Sequence, residues 1–236
     1  MQRFRYNLIV KESIKHNAKT ILVGHHIEDL YENFIIRLLR GSGLKGLTSF
    51  NYLNTKFNHS SNITIFRPMI NFNKNNLNYI VKKVFNFHLE DPSNKNVLFK
   101  RVRIRNLIND LKTEGLDEKK LKMTINNLTQ SDLAINHYVN KNIKLNSNII
   151  DLKNKTACLI KKEFFDQPEE VIFRSFSIIL INIGEKYYAP RGKSLTEIIK
   201  KIKSNKPTKL TLSGCIIEKL NNSLIIYQEK RKKSKK

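Results

Sequence analysis

The stretch Thr20-Ile21-Leu22-Val23-Gly24-His25-His26-Ile27-Glu28-Asp29-Leu30-Tyr31-Glu32-Asn33-Phe34-Ile35-Ile36-Arg37-Leu38-Leu39-Arg40-Gly41-Ser42-Gly43 decides the fold. Its first four residues are a short apolar run of β-branched type, the pattern of a buried strand. Ile27, Leu30, Tyr31, Phe34, Ile35, Leu38 and Leu39 then recur at i, i+3, i+4, i+7 spacing, which predicts a helix with one continuous apolar stripe. Gly41 and Gly43 stop it as C-cap glycines. Phe4 to Asn17 reads as a preceding helix, with Leu8, Ile9 and Ile14 on one side. The order helix, strand, helix fits a doubly wound parallel α/β sheet.

Downstream, Ile63-Thr64-Ile65-Phe66 predicts a second strand, closed by Arg67-Pro68. Asn75 to Phe87 predicts an amphipathic helix on Leu77, Ile80, Val81, Val84 and Phe85. Asp91-Pro92-Ser93-Asn94 is a turn. Arg101 to Asp110 begins another helical stretch, and helices continue to about Asn142. Beyond it the pattern changes: a strand at Asn148–Leu152, helices at Pro168–Asn182 and Ser194–Lys203, and strands at Lys209–Ser213, Cys215–Lys219 and Leu224–Gln228. Asn221-Asn222 joins the last two as a hairpin turn. The chain is thus α/β, followed by a helical region and a small C-terminal α+β region. The boundary between its two parts, 1–105 and 106–236, falls after Arg105.

In open α/β sheets, ligands bind outside the carboxyl ends of the strands. That place is taken here by Gly24, His25, His26, Glu28 and Asp29. Glycine allows close approach to the backbone, and a helix N-terminus attracts phosphate. Asp29 and Glu32, three apart, share one face of the first turn. Two carboxylates there suit magnesium or a substrate ammonium group. Acidic residues in a first turn are also ordinary complements of the helix dipole.

Composition narrows the partners. The 236 residues carry 44 Lys+Arg against 20 Asp+Glu, a net charge of +24. Such an excess points to a polyanion, with nucleic acid first and an acidic membrane surface second. The last eight residues, Glu229 to Lys236, read as a disordered basic tail. No apolar run is long enough for a membrane span, and Met1 to Tyr6 lacks the core of a signal peptide. Two cysteines, Cys158 and Cys215, form no CxxC pair, which argues against a disulfide scaffold, a cysteine zinc site and a cysteine-held cluster.

Gly24-His25-His26-Ile27-Glu28-Asp29-Leu30-Tyr31-Glu32-Asn33 and Arg37-Leu38-Leu39-Arg40-Gly41-Ser42-Gly43-Leu44-Lys45-Gly46-Leu47 resemble the tRNA(Ile)-lysidine synthetase family, whose patterns are GHHxxDQxET and RLLRGSGxxGL. Arg67-Pro68-Met69, Asp91-Pro92-Ser93-Asn94 and Arg101-Val102-Arg103-Ile104-Arg105 resemble its RPL, D-x-S/T-N and RNxIR segments, in that order. Tyr188 to Gly192 and Thr211 to Cys215 resemble its terminal segment. The likeness covers essentially the whole chain. Leu30 stands where the family has Gln, Asn33 where it has Thr, and Val102 where Asn is common. Its opening strand and SGGxDS pyrophosphate loop are missing from these 236 residues. The resemblance therefore implies an incomplete parallel sheet of the PP-loop ATPase type, truncated or split, with an unpaired edge.

What the resemblance implies is ATP-dependent ligation of free L-lysine to C2 of the wobble cytidine in the CAU anticodon of an isoleucine tRNA, in the cytoplasm. Asp29 and Glu32 would be catalytic, facing magnesium or the lysine, with Asp29 the metal ligand. Gly24, His25 and His26 would line the nucleotide crevice, and Arg101 and Arg105 would contact phosphate. Arg40 with Gly41, Ser42 and Gly43 would lie at the substrate rim. A separate chain bearing the pyrophosphate loop is an implied partner. Two other readings are a non-catalytic tRNA-binding fragment and a tRNA thiolase of the same superfamily. The lack of paired cysteines weighs against the thiolase.

Overall fold

Strand β1 (Thr20–Leu22) is followed by helices α2 (Ile27–Leu38) and α3 (Leu44–Thr48), then by β2 (Asn54–Lys56) and β3 (Thr64–Phe66); helix α1 (Gln2–Lys15) precedes them. A computed structural model describes residues 2–51, 54–56, 63–87, 89, 91–152, 156–186, 189–204 and 209–229. β1 and β3 pair in parallel, Thr20 opposite Thr64 and Leu22 opposite Phe66. Parallel partners need a crossover connection, and α2 supplies it. β2 adds to β3 antiparallel, so the three-stranded sheet runs β1-β3-β2 with β1 at an edge.

Helices α4 (Lys74–Val84), α5 (Lys100–Thr113) and the 29-residue α6 (Glu118–Asn146) follow. The helices expected from Arg101 onward are two, separated at Gly115. Its φ of 91° is costly for any residue with a Cβ. The chain divides into two compact units, Met1–Asp132 and Leu133–Lys236. The core of the first joins Leu30, Tyr31, Phe34 and Ile35 of α2 to Ile104 and Ile108 of α5 and Ile125 of α6.

The second unit is an antiparallel sheet of β4 (Ser147–Asp151), β5 (Thr156–Lys161), β6 (Lys209–Leu212), β7 (Cys215–Leu220) and β8 (Ser223–Gln228), in the order β4-β5-β8-β7-β6. Helices α7 (Glu169–Ile183) and α8 (Gly192–Lys203) share its core. Phe164, Ile172, Phe176, Leu180 and Leu195 pack there against Ile160, Ile217 and Ile226. Ser213 and Gly214 both have positive φ, 55° and 77°. They make the tight turn of the β6–β7 hairpin, so the third-last strand stops at Leu212 rather than Ser213. The Asn221-Asn222 turn is present, with Leu220 paired to Ser223. β2 and β5 were not expected. The basic tail beyond Glu229 lies outside the described residues.

The apolar stripe of α2 is buried from Ile27 to Ile35, but Leu38 and Leu39 are 52% and 60% exposed. The helix ends in a Schellman motif. Gly41 N–H donates to Leu38 O and Ser42 N–H to Arg37 O, with Gly41 at φ 67°. Gly43 instead caps the start of α3. Of the two glycines, Gly41 ends one helix and Gly43 begins the next.

Among the described residues no helix is long and apolar enough to cross a membrane. Cys158 and Cys215 are both fully buried, and burial pushes each thiol up to about 11. A thiol that is harder to ionise when folded stabilises the fold below its unfolded pKa and loses that contribution as pH rises through the folded value. The thiolate is the reactive form. A thiol reagent at pH 8 is therefore expected to label neither cysteine in the folded chain and both in denaturant. Rapid labelling of the folded chain would contradict this packing.

Candidate functional site

The turn between β1 and α2 places Gly24 in the open and leaves His25 and His26 half-buried. His25 meets the edge of the Phe50 ring, centroids 4.9 Å apart. The Arg67 guanidinium lies over the same ring at 4.9 Å, a cation–π contact that fixes the turn after β3. A Cβ on Gly24 would sit 3.5 Å from Met69.

His26 is the N-cap of α2 in extended backbone. Its N–H donates to Asp29 Oδ2 at 3.1 Å, and its ring lies 2.7 Å from Glu28 Oε2. The Ile27 N–H donates to Phe72 O. The helix N-terminus offered to a phosphate by the sequence is thus already filled by the chain's own carboxylate and carbonyl. Glu28 reaches the next element, accepting the Lys74 N–H at the start of α4 at 2.9 Å.

Asp29 and Glu32 do share a face, and both are buried. Arg101 and Arg105 of α5, four apart, are brought against them. Arg101 Nη1 lies 3.3 Å from Asp29 Oδ1 and its Nε 3.9 Å from Glu32 Oε2. Arg105 Nε donates to Glu32 Oε1 at 2.5 Å. The Glu32 side chain is 2% exposed, the arginines 36% and 39%. A carboxylate so buried needs cationic partners. Oε2 of Glu32 makes no hydrogen bond; Arg101 reaches it only at ion-pair distance. The arginines expected at phosphate are thus paired with carboxylates.

Both Asp29 oxygens are engaged within the chain, one on Arg101 and the other on His26. Among the described residues no three His, Cys, Asp or Glu side chains are arranged to hold a metal.

Beside Glu32 lies a cavity of about 210 Å³, lined by His26, Tyr31, Glu32 and Arg105 and also by Lys112 and Glu118. The last two, and Tyr31 as a polar lining group, had not been singled out from sequence. Arg105, Asn109 and Lys112 fall at i, i+4, i+7 on α5, a stripe that was there to be read. The Tyr31 hydroxyl donates to Glu118 O at 3.2 Å. Burial first, then the charges of Glu118, Glu28 and Asp117, push its phenol up to about 12.

Arg40 and Gly41 are exposed, Ser42 is half-buried and Gly43 exposed, in the turn between α2 and α3. Burial, then Arg40, lowers the pKa of nearby Arg37. The departures from the resembled pattern have plain roles. Leu30 packs in the core, and Asn33 Oδ1 accepts Arg37 Nε at 2.7 Å. Val102 is buried on α5.

Residues 2–111 match the family model described as a PP-loop domain. A tRNA(Ile)-lysidine synthase of Wolbachia pipientis wMel is 31% identical over 229 residues, covering 97% of this chain and 52% of the relative. That of Orientia tsutsugamushi (strain Boryong) is 30% identical over 239 residues, at 97% and 52%. That of Rickettsia felis is 31% identical over 231 residues, at 97% and 51%. The chain spans about half the length of the curated relatives it matches. Residues 2–111 are thus similar to a PP-loop domain, and nearly the whole chain is similar to about half of a tRNA(Ile)-lysidine synthase.

Proposed function

We propose that the chain takes part in ATP-dependent ligation of lysine to C2 of the wobble cytidine in the CAU anticodon of an isoleucine tRNA, in the cytoplasm. The observation that carries this reading is the buried pair Asp29 and Glu32, of which Glu32 lines a cavity sized for a small molecule. Two carboxylates against two arginines leave the site near neutral while empty. The Oε2 of Glu32 still lacks a hydrogen-bond donor. An alkyl-ammonium group supplies one.

The chemistry asks for such a site. The C2 oxygen of cytidine attacks the α-phosphorus of ATP, and pyrophosphate leaves. The lysine amine then attacks C2, and AMP leaves with the oxygen. The amine arrives as an ammonium and must lose a proton before it can attack. A buried carboxylate both orients the cation and accepts that proton. His25 and Gly24 lie at the end of β1, where the nucleotide would sit. Magnesium would come with the triphosphate rather than on Asp29.

The SGGxDS loop is supplied from outside these 236 residues, by a separate polypeptide in one version. In support, β1 is an edge strand and α4 has no buried residue. Residues from Asn106 onward dock the tRNA body, with Arg40 to Gly43 at the rim of the substrate site. The chain by itself is expected to form no lysidine from labelled lysine.

The charge of +24 makes tRNA binding strongly salt-dependent. Filter binding of isoleucine tRNA is expected to weaken at least about 100-fold between 50 and 200 mM salt, since counterions are released as phosphates are neutralised. Salt-insensitive binding, or none, would defeat the tRNA assignment.

A further inference from the structure

The cavity lined by Glu32 and Arg105 has a second charged pair in its wall. Lys112 Nζ lies 2.6 Å from Glu118 Oε1, and the two side chains are 41% and 44% exposed. Backbone geometry puts them there. At the end of α5, Gly115 N–H donates to Lys112 O and Leu116 N–H to Leu111 O, with Gly115 in the left-handed region. This turn ends α5, and α6 begins at Glu118. The Tyr31 hydroxyl on the Glu118 carbonyl then ties the first turn of α6 to α2.

Arg105 and Lys112 are seven residues apart on α5. Their positions are therefore roughly 10 Å apart along the helix axis. Ile108 lines the cavity between them. The cavity thus has an ionic pair at each end and an apolar wall in the middle. Its inner pair sets a buried carboxylate, Glu32, against an arginine that is itself 39% exposed. Its outer pair is wet, and in water such a pair is weak and easily exchanged.

A free amino acid with a long stem and a terminal ammonium is the complement of that arrangement. Its α-carboxylate and α-ammonium are adjacent opposite charges, which replace the two partners of an ion pair one for one. We propose that Lys112 and Glu118 determine specificity for free L-lysine, Lys112 taking the α-carboxylate and Glu118 the α-ammonium. The stem then lies along Ile108, and the terminal amine reaches Glu32. This rests on the reading of the cavity as the lysine site, and adds which end of lysine goes where and what enforces it. Amines without an adjacent carboxylate are rejected because Glu118 and Lys112 stay paired to each other.

Calorimetric titration of the full chain with L-lysine, cadaverine and aminocaproate tests this. Cadaverine lacks the α-carboxylate and aminocaproate lacks the α-ammonium. The unaltered chain is expected to prefer L-lysine to either by at least about tenfold. Lys112→Met should bring cadaverine to within about threefold of L-lysine, and Glu118→Gln should do the same for aminocaproate. Thermal melts check that both variants fold, and Lys119→Met, outside the cavity, should leave both preferences intact. Full discrimination retained by folded Lys112→Met and Glu118→Gln overturns this inference and leaves the lysine site standing. No binding of L-lysine by the unaltered chain overturns both.

Discussion

Asp29→Asn is expected to lower lysidine formation at least 100-fold, about 2.7 kcal/mol in the barrier, in the chain completed with a SGGxDS-bearing segment. Affinity for tRNA should not change. The substitution keeps the size of the side chain and one acceptor oxygen. The His26 N–H, now 3.1 Å from Asp29 Oδ2, keeps an acceptor, so the start of α2 keeps its cap. What is lost is the charge. Arg101 Nη1, 3.3 Å from Asp29 Oδ1, would face a neutral amide, and the inner end of the cavity would carry an excess of positive charge. An incoming ammonium is repelled there, and a base for its proton is weakened. The proposed tRNA contact would rest on the chain's net charge of +24, which one buried carboxylate barely alters. Turnover within twofold of the unaltered protein would remove Asp29 from the chemistry.

The largest stability effect is expected in the second unit. Gly184 caps α7 with ordinary helical backbone, φ −80°, so its constraint is space and not conformation. A Cβ there would run into the Ser213 carbonyl oxygen and lie 2.8 Å from the Leu180 carbonyl oxygen and 3.0 Å from the Cys215 sulfur. Two of the three obstacles are backbone, one from the helix and one from the tight turn of the β6–β7 hairpin. Neither can swing aside as a long side chain would. Gly184→Ala should therefore cost about 3 kcal/mol. In a unit of this size the melting temperature would fall by roughly 10–20 °C. Gly43→Ala, with negative φ and nothing within 4 Å of the added carbon, is the control and should move the melt by little. Equal melts for the two variants would contradict the close packing of α7 on the hairpin.

The core of the first unit was legible because α2 declares itself. Seven apolar residues at helical spacing and a following pair of glycines mark its face and its end. The stripe was drawn one turn too long, since Leu38 and Leu39 lie beyond the packed part and beside the Gly41 turn. The carboxylate pair was legible from the three-residue spacing of Asp29 and Glu32. Its closure by Arg101 and Arg105 was not, because those arginines are about seventy residues away, and no local pattern links partners across such a loop. Their own spacing of four showed only that they share a face. β5 carried a usable signal in Ala157-Cys158-Leu159-Ile160, an apolar run between Thr156 and Lys161, yet it forms an inner strand of the sheet. β2, Asn54-Thr55-Lys56, has no apolar residue and exists only because β3 offers it an edge. The outer wall of the cavity depends on Gly115, whose turn carries Glu118 back to Lys112. A glycine in sequence marks a turn without saying what the turn brings together.

The central claim is that this chain serves lysidine formation. The direct measurement is mass analysis of the wobble nucleoside of a CAU isoleucine tRNA. The tRNA is first incubated with the chain, a SGGxDS-bearing segment, ATP and L-lysine. The predicted result is lysidine at the wobble position, absent without the added segment and absent with Asp29→Asn. An unmodified cytidine with tRNA still bound would point to a non-catalytic binding protein, and a thiolated nucleoside to a thiolase; either would contradict the account.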